Sequence, residues 1–414
     1  MKLPEAPWRN HAGMPRLLRV LGAAKGDTRF VGGCVRDTLL GLDVSDVDLA
    51  TRIGPDEVMK RLKTAGIKVV PTGLAHGTVT AVIGGQPVEV TTLRRDVSTD
   101  GRRATIAYTE DWREDAARRD FTINALSADP IGGGIFDYFD GVEDLEARHV
   151  RFIGDPLTRI AEDHLRILRF FRFHARFGEG EPDAAGVAAC AARANDLMAL
   201  SRERIADELL KLLALDDPVA TVGLMIERGI FRPVLPEIVD ADRLARLVWH
   251  ERAAGIAPEG VRRLAALLPE DVEVAASVAA RLRLSKRLSK RLVSAADKGL
   301  GKPEALAYEI GTESAVDRFL LHGQTEIDLA ALSRWKRPRL PVSGGDLIAM
   351  GLEAGPIVAN IFAFLICRCG NCAIQIRRCR SAELLYRASV TNVCPRRRPA
   401  APEKFVLAAD AFVD

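Results

Sequence analysis

Apolar positions change their spacing about a third of the way along the chain. Between residue 29 and about 140 they come in short runs closed by glycine turns. RFVGG, DVDLAT, KVVPT, GTVTAVIGG and QPVEVTTL each read as a strand. VRDTLLGL and DEVMKRLKTAG carry helical spacing between them, and INALSAD and IFDYFDG continue the sheet. With a short helical lead-in over residues 1–27, this part reads as α/β. From about residue 141 the strand pattern fades. LTRIAEDHLRILRFFRFHARFG repeats Ile160, Leu165, Leu168 and Phe171 at helical spacing, which predicts one helix through the segment. SRERIADELLKLLAL opens on Ser201 as a cap, with Glu203 in the first turn. Helical segments run on to about 355 without an internal repeat. The expected fold class is α+β, an N-terminal α/β domain followed by a long all-α region. From about Asn360 periodicity weakens and Cys and Arg accumulate up to PRRRPAAP. That stretch reads as a poorly ordered or frameshifted tail.

At about 150 residues per domain, 414 residues suggest two or three domains. Hydrophobic residues at 48% and charged residues at 28% exclude a mainly disordered, collagen-like or disulfide-scaffold protein. A net charge of +3 does not by itself announce a nucleic-acid binder. MKLPEAPWRN has no apolar core of signal-peptide length, and the run Ile357 to Cys367 falls short of the ~20 residues that cross a bilayer. The expected location is cytoplasmic, with no membrane partner. Seven cysteines, an odd number, argue against a disulfide framework. Cys369 and Cys372 form a lone CxxC without the second pair a zinc ribbon needs.

FVGGCVRD is a strand ending in a Gly-Gly turn that opens a helix. Gly32 and Gly33 let backbone approach a ligand, and Arg36 adds a cation suited to phosphate. DVD follows ten residues after Arg36. Alternate strand residues share a face, so Asp46 and Asp48 stand together and repel unless a cation lies between them. Carboxylate oxygens suit a hard cation such as magnesium; a solvated strand end is the plainer reading. Glu89, between Val88 and Val90 in a strand, is the best third carboxylate.

GGCVRD, DVD, VEVTTLR, RRDFTINAL and EDHLRILRFFRF, in that order, resemble the class II tRNA nucleotidyltransferases and bacterial poly(A) polymerases. The resemblance runs from about residue 28 to 235, with fainter echoes to about 355. It implies a polymerase-beta-like nucleotidyltransferase head at 1–140. A helical neck with a nucleotide-template helix and an RNA-binding element follows at 141–235. A helical body and tail that bind tRNA occupy 236–359, and 360–414 is atypical. It also implies that Asp46 and Asp48 hold Mg2+ and that Glu89 deprotonates or orients an RNA 3′-hydroxyl. Asp120 would contact the ribose and Arg119 the phosphates of the incoming nucleotide. The polar stretch from Arg94 to Arg118 would be the flexible loop that switches specificity from C to A.

In the same resemblance, Asp163 and Arg166 form an amino-acid template for the base. C and A both offer an exocyclic amine beside a ring-nitrogen acceptor; Asp can accept from the first and Arg donate to the second. G and U present the reverse order. Arg169 and Arg172, spaced along the same helix surface, would serve phosphates or RNA. Two basic clusters, Arg281 to Arg291 and Arg334 to Arg339, would grip tRNA phosphates.

The implied activity is CCA addition or repair at the tRNA 3′ end from CTP and ATP, with no protein partner. The alternatives are a poly(A) polymerase, a CC-only or A-only enzyme, and a non-catalytic RNA-binding relative. TGLAHGTVTAVIGG stands where bacterial poly(A) polymerases usually carry a GRRFRL-like strand, and the intact loop disfavours a CC-only enzyme. Retention of Asp46, Asp48 and the template pair counts against the non-catalytic reading. No His-Asp dipeptide occurs, so no phosphohydrolase activity is expected.

Overall fold

The computed structural model describes residues 1–99, 104–324, 326–336 and 344–349. They pack as two compact units. One is residues 1–249 with 257–296; the other is residues 250–256 with the described residues from 297 onward.

The first unit begins with helix α1 (Met14–Val20) and a mixed sheet. Its strands are β1 (Thr28–Val31), β2 (Asp48–Thr51), β3 (Lys68–Gly73), β4 (Thr78–Ile83), β5 (Gln86–Thr92), β8 (Ser127–Ala128) and β9 (Ile135–Phe136), in the order β3-β4-β5-β2-β1-β8-β9. Helices α2 (Gly33–Leu39) and α3 (Pro55–Thr64) lie between the early strands. Helix α3 has Pro55 in its first turn with Asp56 and Glu57, and Arg61 and Lys63 in its last, matching the helix dipole at both ends. Among the described strands only β2 and β5 pair in parallel, with Asp48 opposite Glu89 and Leu49 opposite Val90. Residues in register share a face. Phe30, Leu49 and Val90 therefore point to one side, where they are fully buried and Trp8 meets Phe30 edge-on at 4.7 Å. Asp48 and Glu89 point to the other.

The polar stretch after β5 is more regular than a flexible loop. It forms a two-stranded sheet, β6 (Arg94–Thr99) with β7 (Ala104–Tyr108), and helix α4 (Trp112–Ala117); residues 100–103 lie outside the described residues. Hydrophobic spacing does not reveal the hairpin because β6 is mostly polar and the apolar residues of β7 do not strictly alternate. Trp112 anchors α4 on the sheet beside Val31, Ala50 and Leu93. The Arg29 guanidinium lies between the Trp112 and Phe136 rings, 4.1 and 3.4 Å from their centroids, and donates to the Tyr138 hydroxyl at 3.1 Å.

Helices follow: α5 (Gly141–Glu146), α6 (Pro156–Glu162), α7 (Arg166–Phe177), α8 (Ala184–Ala192), α9 (Arg202–Leu213), α10 (Val219–Glu227), α11 (Asp242–Ala254), α12 (Gly260–Leu267), α13 (Val272–Arg281) and α14 (Lys286–Ala295). The segment expected as one helix is thus two, broken around Asp163, which is extended at φ −149° and ψ 106°. Asp155 caps α6 by accepting from the Thr158 amide at 2.8 Å. Ser201 takes the N-cap position of α9 but its side chain makes no capping hydrogen bond. Phe121, Phe152, Phe170 and Phe173 form one ring cluster, with centroids 5.0–5.4 Å apart along Phe173–Phe121–Phe152–Phe170. It clamps the residue after Asp120 against α7.

The second unit holds α15 (Pro303–Ile310), α16 (Thr312–Leu321), α17 (Leu329–Arg334) and α18 (Gly344–Ala349). Within it Arg318 donates to the Gly299 carbonyl at 2.8 Å and pairs with Asp297 at 3.0 Å. The expected tail from residue 360, its CxxC, and Arg337 and Arg339 of the second basic cluster lie outside the described residues. Cys34 and Cys190 are buried free thiols, and burial pushes the Cys34 thiol up to about 12.

Candidate functional site

A cleft of about 390 Å³ opens between the sheet and α7. Gly32, Gly33, Arg36 and Asp48 line it from the sheet side, Arg118, Arg119, Asp120 and Asn124 from the segment after α4, and Asp163, Arg166, Arg169 and Phe173 from the helical side. Four separate stretches of sequence therefore converge on one concavity.

Gly32 follows β1 and caps α2 at φ +69° and ψ −126°, a conformation that suits glycine. A Cβ there would stand 2.9 Å from the Arg119 guanidinium, so the missing side chain also makes room for that arginine. Arg119 donates to the Asn124 carbonyl at 3.2 Å, and Arg118 bonds Asp115 at 2.9–3.0 Å. Asp115 lies in α4, so the helix fixed by Trp112 orients both arginines. Arg36 is held by Asp37 at 2.7 Å and by the Asn124 side chain, with the Phe177 ring 4.1 Å away.

Asp48 opens β2, whereas Asp46 precedes the strand and is exposed, accepting from the Ser45 hydroxyl at 2.8 Å. The two carboxylates are thus not alternate residues of one strand. Glu89 is exposed on β5 in register with Asp48. Burial, then the charge of Glu89, then Asp46 push the Asp48 carboxyl up to about 6, against an opposing pull from Arg119. Among the described residues no three His, Cys, Asp or Glu side chains gather at metal-binding distance.

Asp120 is almost fully enclosed. Its Oδ2 accepts from Arg169 Nε at 2.8 Å and Nη2 at 2.5 Å. Its Oδ1 accepts from Asn124 Nδ2 at 2.8 Å and the Phe121 amide at 2.9 Å. Burial alone would raise its pKa; Arg169, Asn124 and the Phe121 amide outweigh burial and hold it at about 2. Arg169 is accordingly engaged with a carboxylate. Arg172 lies off the cleft lining, paired with Glu208 at 2.6 Å.

Asp163 and Arg166 both face the cleft but do not pair with each other. Asp163 bonds Arg204 at 2.8 Å, and Arg166 bonds Glu162 at 2.6 Å and the Arg118 carbonyl at 2.7 Å. Sequence reasoning left out Asn124, Phe173, Asp115, Arg204 and Glu208. Asn124, four residues after Asp120 inside RRDFTINAL, was in view as a motif residue. Arg204 and Glu208 carried no local signal.

Residues 28–151 match the family described as the Poly A polymerase head domain, and residues 183–242 that described as the probable RNA and SrmB-binding site of polymerase A. The chain is 36% identical over 370 residues to CCA tRNA nucleotidyltransferase 1, mitochondrial, of Danio rerio, covering 84% of each chain. It is 33% identical to the Homo sapiens protein of the same name, over 83% of this chain and 82% of that one. Among solved structures, the Bacillus stearothermophilus CCA-adding enzyme in complex with CTP superposes with a TM-score of 0.66 at 28% identity, covering 87% of this chain and 92% of that one.

Proposed function

Because the chain belongs to the CCA tRNA nucleotidyltransferase family, we infer that it adds or repairs the 3′-terminal CCA of tRNA from CTP and ATP. The observation that carries this reading to the residues is their convergence on one cleft. One concavity holds a buried carboxylate, an arginine-rich wall and the Asp163–Arg166 edge that can read a base.

In the reaction the 3′-oxygen of the RNA attacks the α-phosphorus, a new P–O bond forms, and the bond to pyrophosphate breaks. We assign Arg119, Arg118 and the Gly32–Gly33 backbone to the triphosphate, and Glu89 to orienting the 3′-hydroxyl or taking its proton. Arg36 and Arg169 shape the phosphate wall through Asn124 and Asp120. Asp163 and Arg166 accept from and donate to the base edge shared by C and A. The work is chiefly positioning and electrostatics.

Enzymes of this family are generally metal-dependent. Mg2+ is usually bound by one or two carboxylates plus substrate phosphates, not by an all-protein cage. Asp46 and Asp48 fit that pattern: they are oxygen donors in a site where burial, and then the charges of Glu89 and Asp46, push Asp48 up to about 6. When bound there, the ion supplies charge neutralisation at the phosphates. Lys286, Arg287 and Lys290, exposed around α14, are proposed as tRNA phosphate contacts. No described helix is long and apolar enough to cross a membrane.

The test is extension of a tRNA lacking CCA, with magnesium, given CTP, ATP or both, with Asp46→Ala alongside. Two C additions and then one A, absent in the variant, are expected. A long A-tail from ATP alone, or tRNA binding without any extension, would overturn the reading.

A further inference from the structure

Asp163 is aimed in large part from outside its own segment. It is extended between α6 and α7, so no helix sets the direction of its carboxylate. Two contacts set it instead. The Leu165 amide donates to Oδ1 at 3.1 Å, and Arg204 Nη2 donates to Oδ1 at 3.1 Å and to Oδ2 at 2.8 Å. Arg204 comes from the first turn of α9, 41 positions along the chain. Its partner in base reading is anchored differently: Arg166 is fixed by Glu162 on the preceding helix and by backbone carbonyls of Arg118 and Arg159.

Helix α9 makes a second such contact one turn on. Glu208, which shares a helix face with Arg204, accepts from Arg172 at 2.6 Å on α7. The face is complementary to the α6–α7 segment, a base against the acid of Asp163 and an acid against the base of Arg172. That fixes the register of α9 on α7 and makes the Arg204–Asp163 contact more than a chance surface pair, although the two side chains are 32% and 30% exposed.

We propose that Arg204 is a positioning residue for base selection, holding the Asp163 carboxylate where it accepts from the exocyclic amine of cytosine or adenine. The inference rests on the base-reading role assigned to Asp163 above. Uracil and guanine turn a carbonyl oxygen towards that carboxylate, and acceptor against acceptor is rejected only while the carboxylate cannot swing aside. Released from Arg204, Asp163 keeps only its local tie to Leu165. Correct nucleotides then lose a well-placed acceptor and wrong ones lose their penalty.

The experiment uses the full chain with Arg204→Gln and Arg204→Lys, measuring kcat/KM for CTP, UTP, ATP and GTP on tRNA substrates, with thermal melts in parallel. For Arg204→Gln the CTP-to-UTP and ATP-to-GTP ratios should fall about 10- to 100-fold. Arg204→Lys, which keeps the charge without the planar fork, should be intermediate. An equal loss for all four nucleotides, leaving both ratios within about twofold of wild type, overturns the proposal. If Arg204→Gln does not fold, Arg204→Lys decides by the same ratios. A wild-type chain that adds neither C nor A overturns the function and this inference together; a selective wild type with equally selective variants overturns the inference alone.

Discussion

Asp120→Ala removes the acid around which one wall of the cleft is built. The carboxylate accepts four hydrogen bonds, two of them from Arg169. Its pKa is held at about 2, against 3.8 for the ordinary group. A folded-state value below the unfolded one contributes stability that is fully present above about pH 4 and is lost as pH falls through about 2. A shift of nearly two units at about 1.4 kcal/mol each corresponds to about 2 kcal/mol. Truncation also leaves Arg169 with Glu208 at 3.7 Å as its acidic neighbour. Breaking a buried pair costs about 3–5 kcal/mol. Arg169 is 30% exposed, which draws the expected total down to about 2–4 kcal/mol. Urea unfolding followed by circular dichroism at pH 7 measures the difference directly. Repeated at pH 3, the gap should narrow by about 1 kcal/mol. Adding Arg169→Ala to Asp120→Ala should cost much less than Arg169→Ala alone costs in the wild type. An Asp120→Ala chain within about 0.5 kcal/mol of wild type at pH 7 would refute the reasoning, because that is the range of a surface change.

Asp48→Asn should move stability the other way. Burial, Glu89 and Asp46 raise this carboxyl to about 6, so its ionised form destabilises the fold as pH rises from about 4 through 6. In divalent-free buffer at pH 7.5 the variant should be about 1–3 kcal/mol more stable while losing extension activity, and a lower melting temperature than wild type would contradict this. Gly32→Ala meets both a positive φ and the Arg119 guanidinium at 2.9 Å. It should cost about 1–3 kcal/mol and raise KM for both nucleotides, and an unchanged KM would show that Arg119 does not touch them. Lys286→Glu with Lys290→Glu should weaken tRNA binding and flatten its dependence on salt, read by filter binding from 50 to 200 mM salt; an unchanged slope would remove α14 from the RNA interface.

Much of the head was legible in its residues. Strands β1 to β5 lie where short apolar runs closed by turns placed them, and in β5 burial alternates because a sheet with one buried face leaves a period of two in the chain. Glu89 between Val88 and Val90 points away from them for the same reason. Residues of several motifs line the cleft, and glycine, clustered arginines and isolated carboxylates are chemically distinctive in the sequence. The break at Asp163 was hidden, since Ile160, Leu165, Leu168 and Phe171 keep helical spacing across it. The β6–β7 hairpin was hidden because β6 is polar and β7 does not strictly alternate.

What the amino-acid order determined by itself was local: which segments alternate, which coil, and which carry chemistry. The meeting of Asp48 with Glu89 was decided by a parallel strand pairing across 41 positions. The enclosure of Asp120 by Arg169 was decided by the Phe121 ring packing against α7, and the aim of Asp163 by a residue of α9. Hydrophobic periodicity records only that one face of an element is buried. Which charged groups leave water together, and so which hold one another in place, depends on what that face is buried against, and only tertiary packing supplies that.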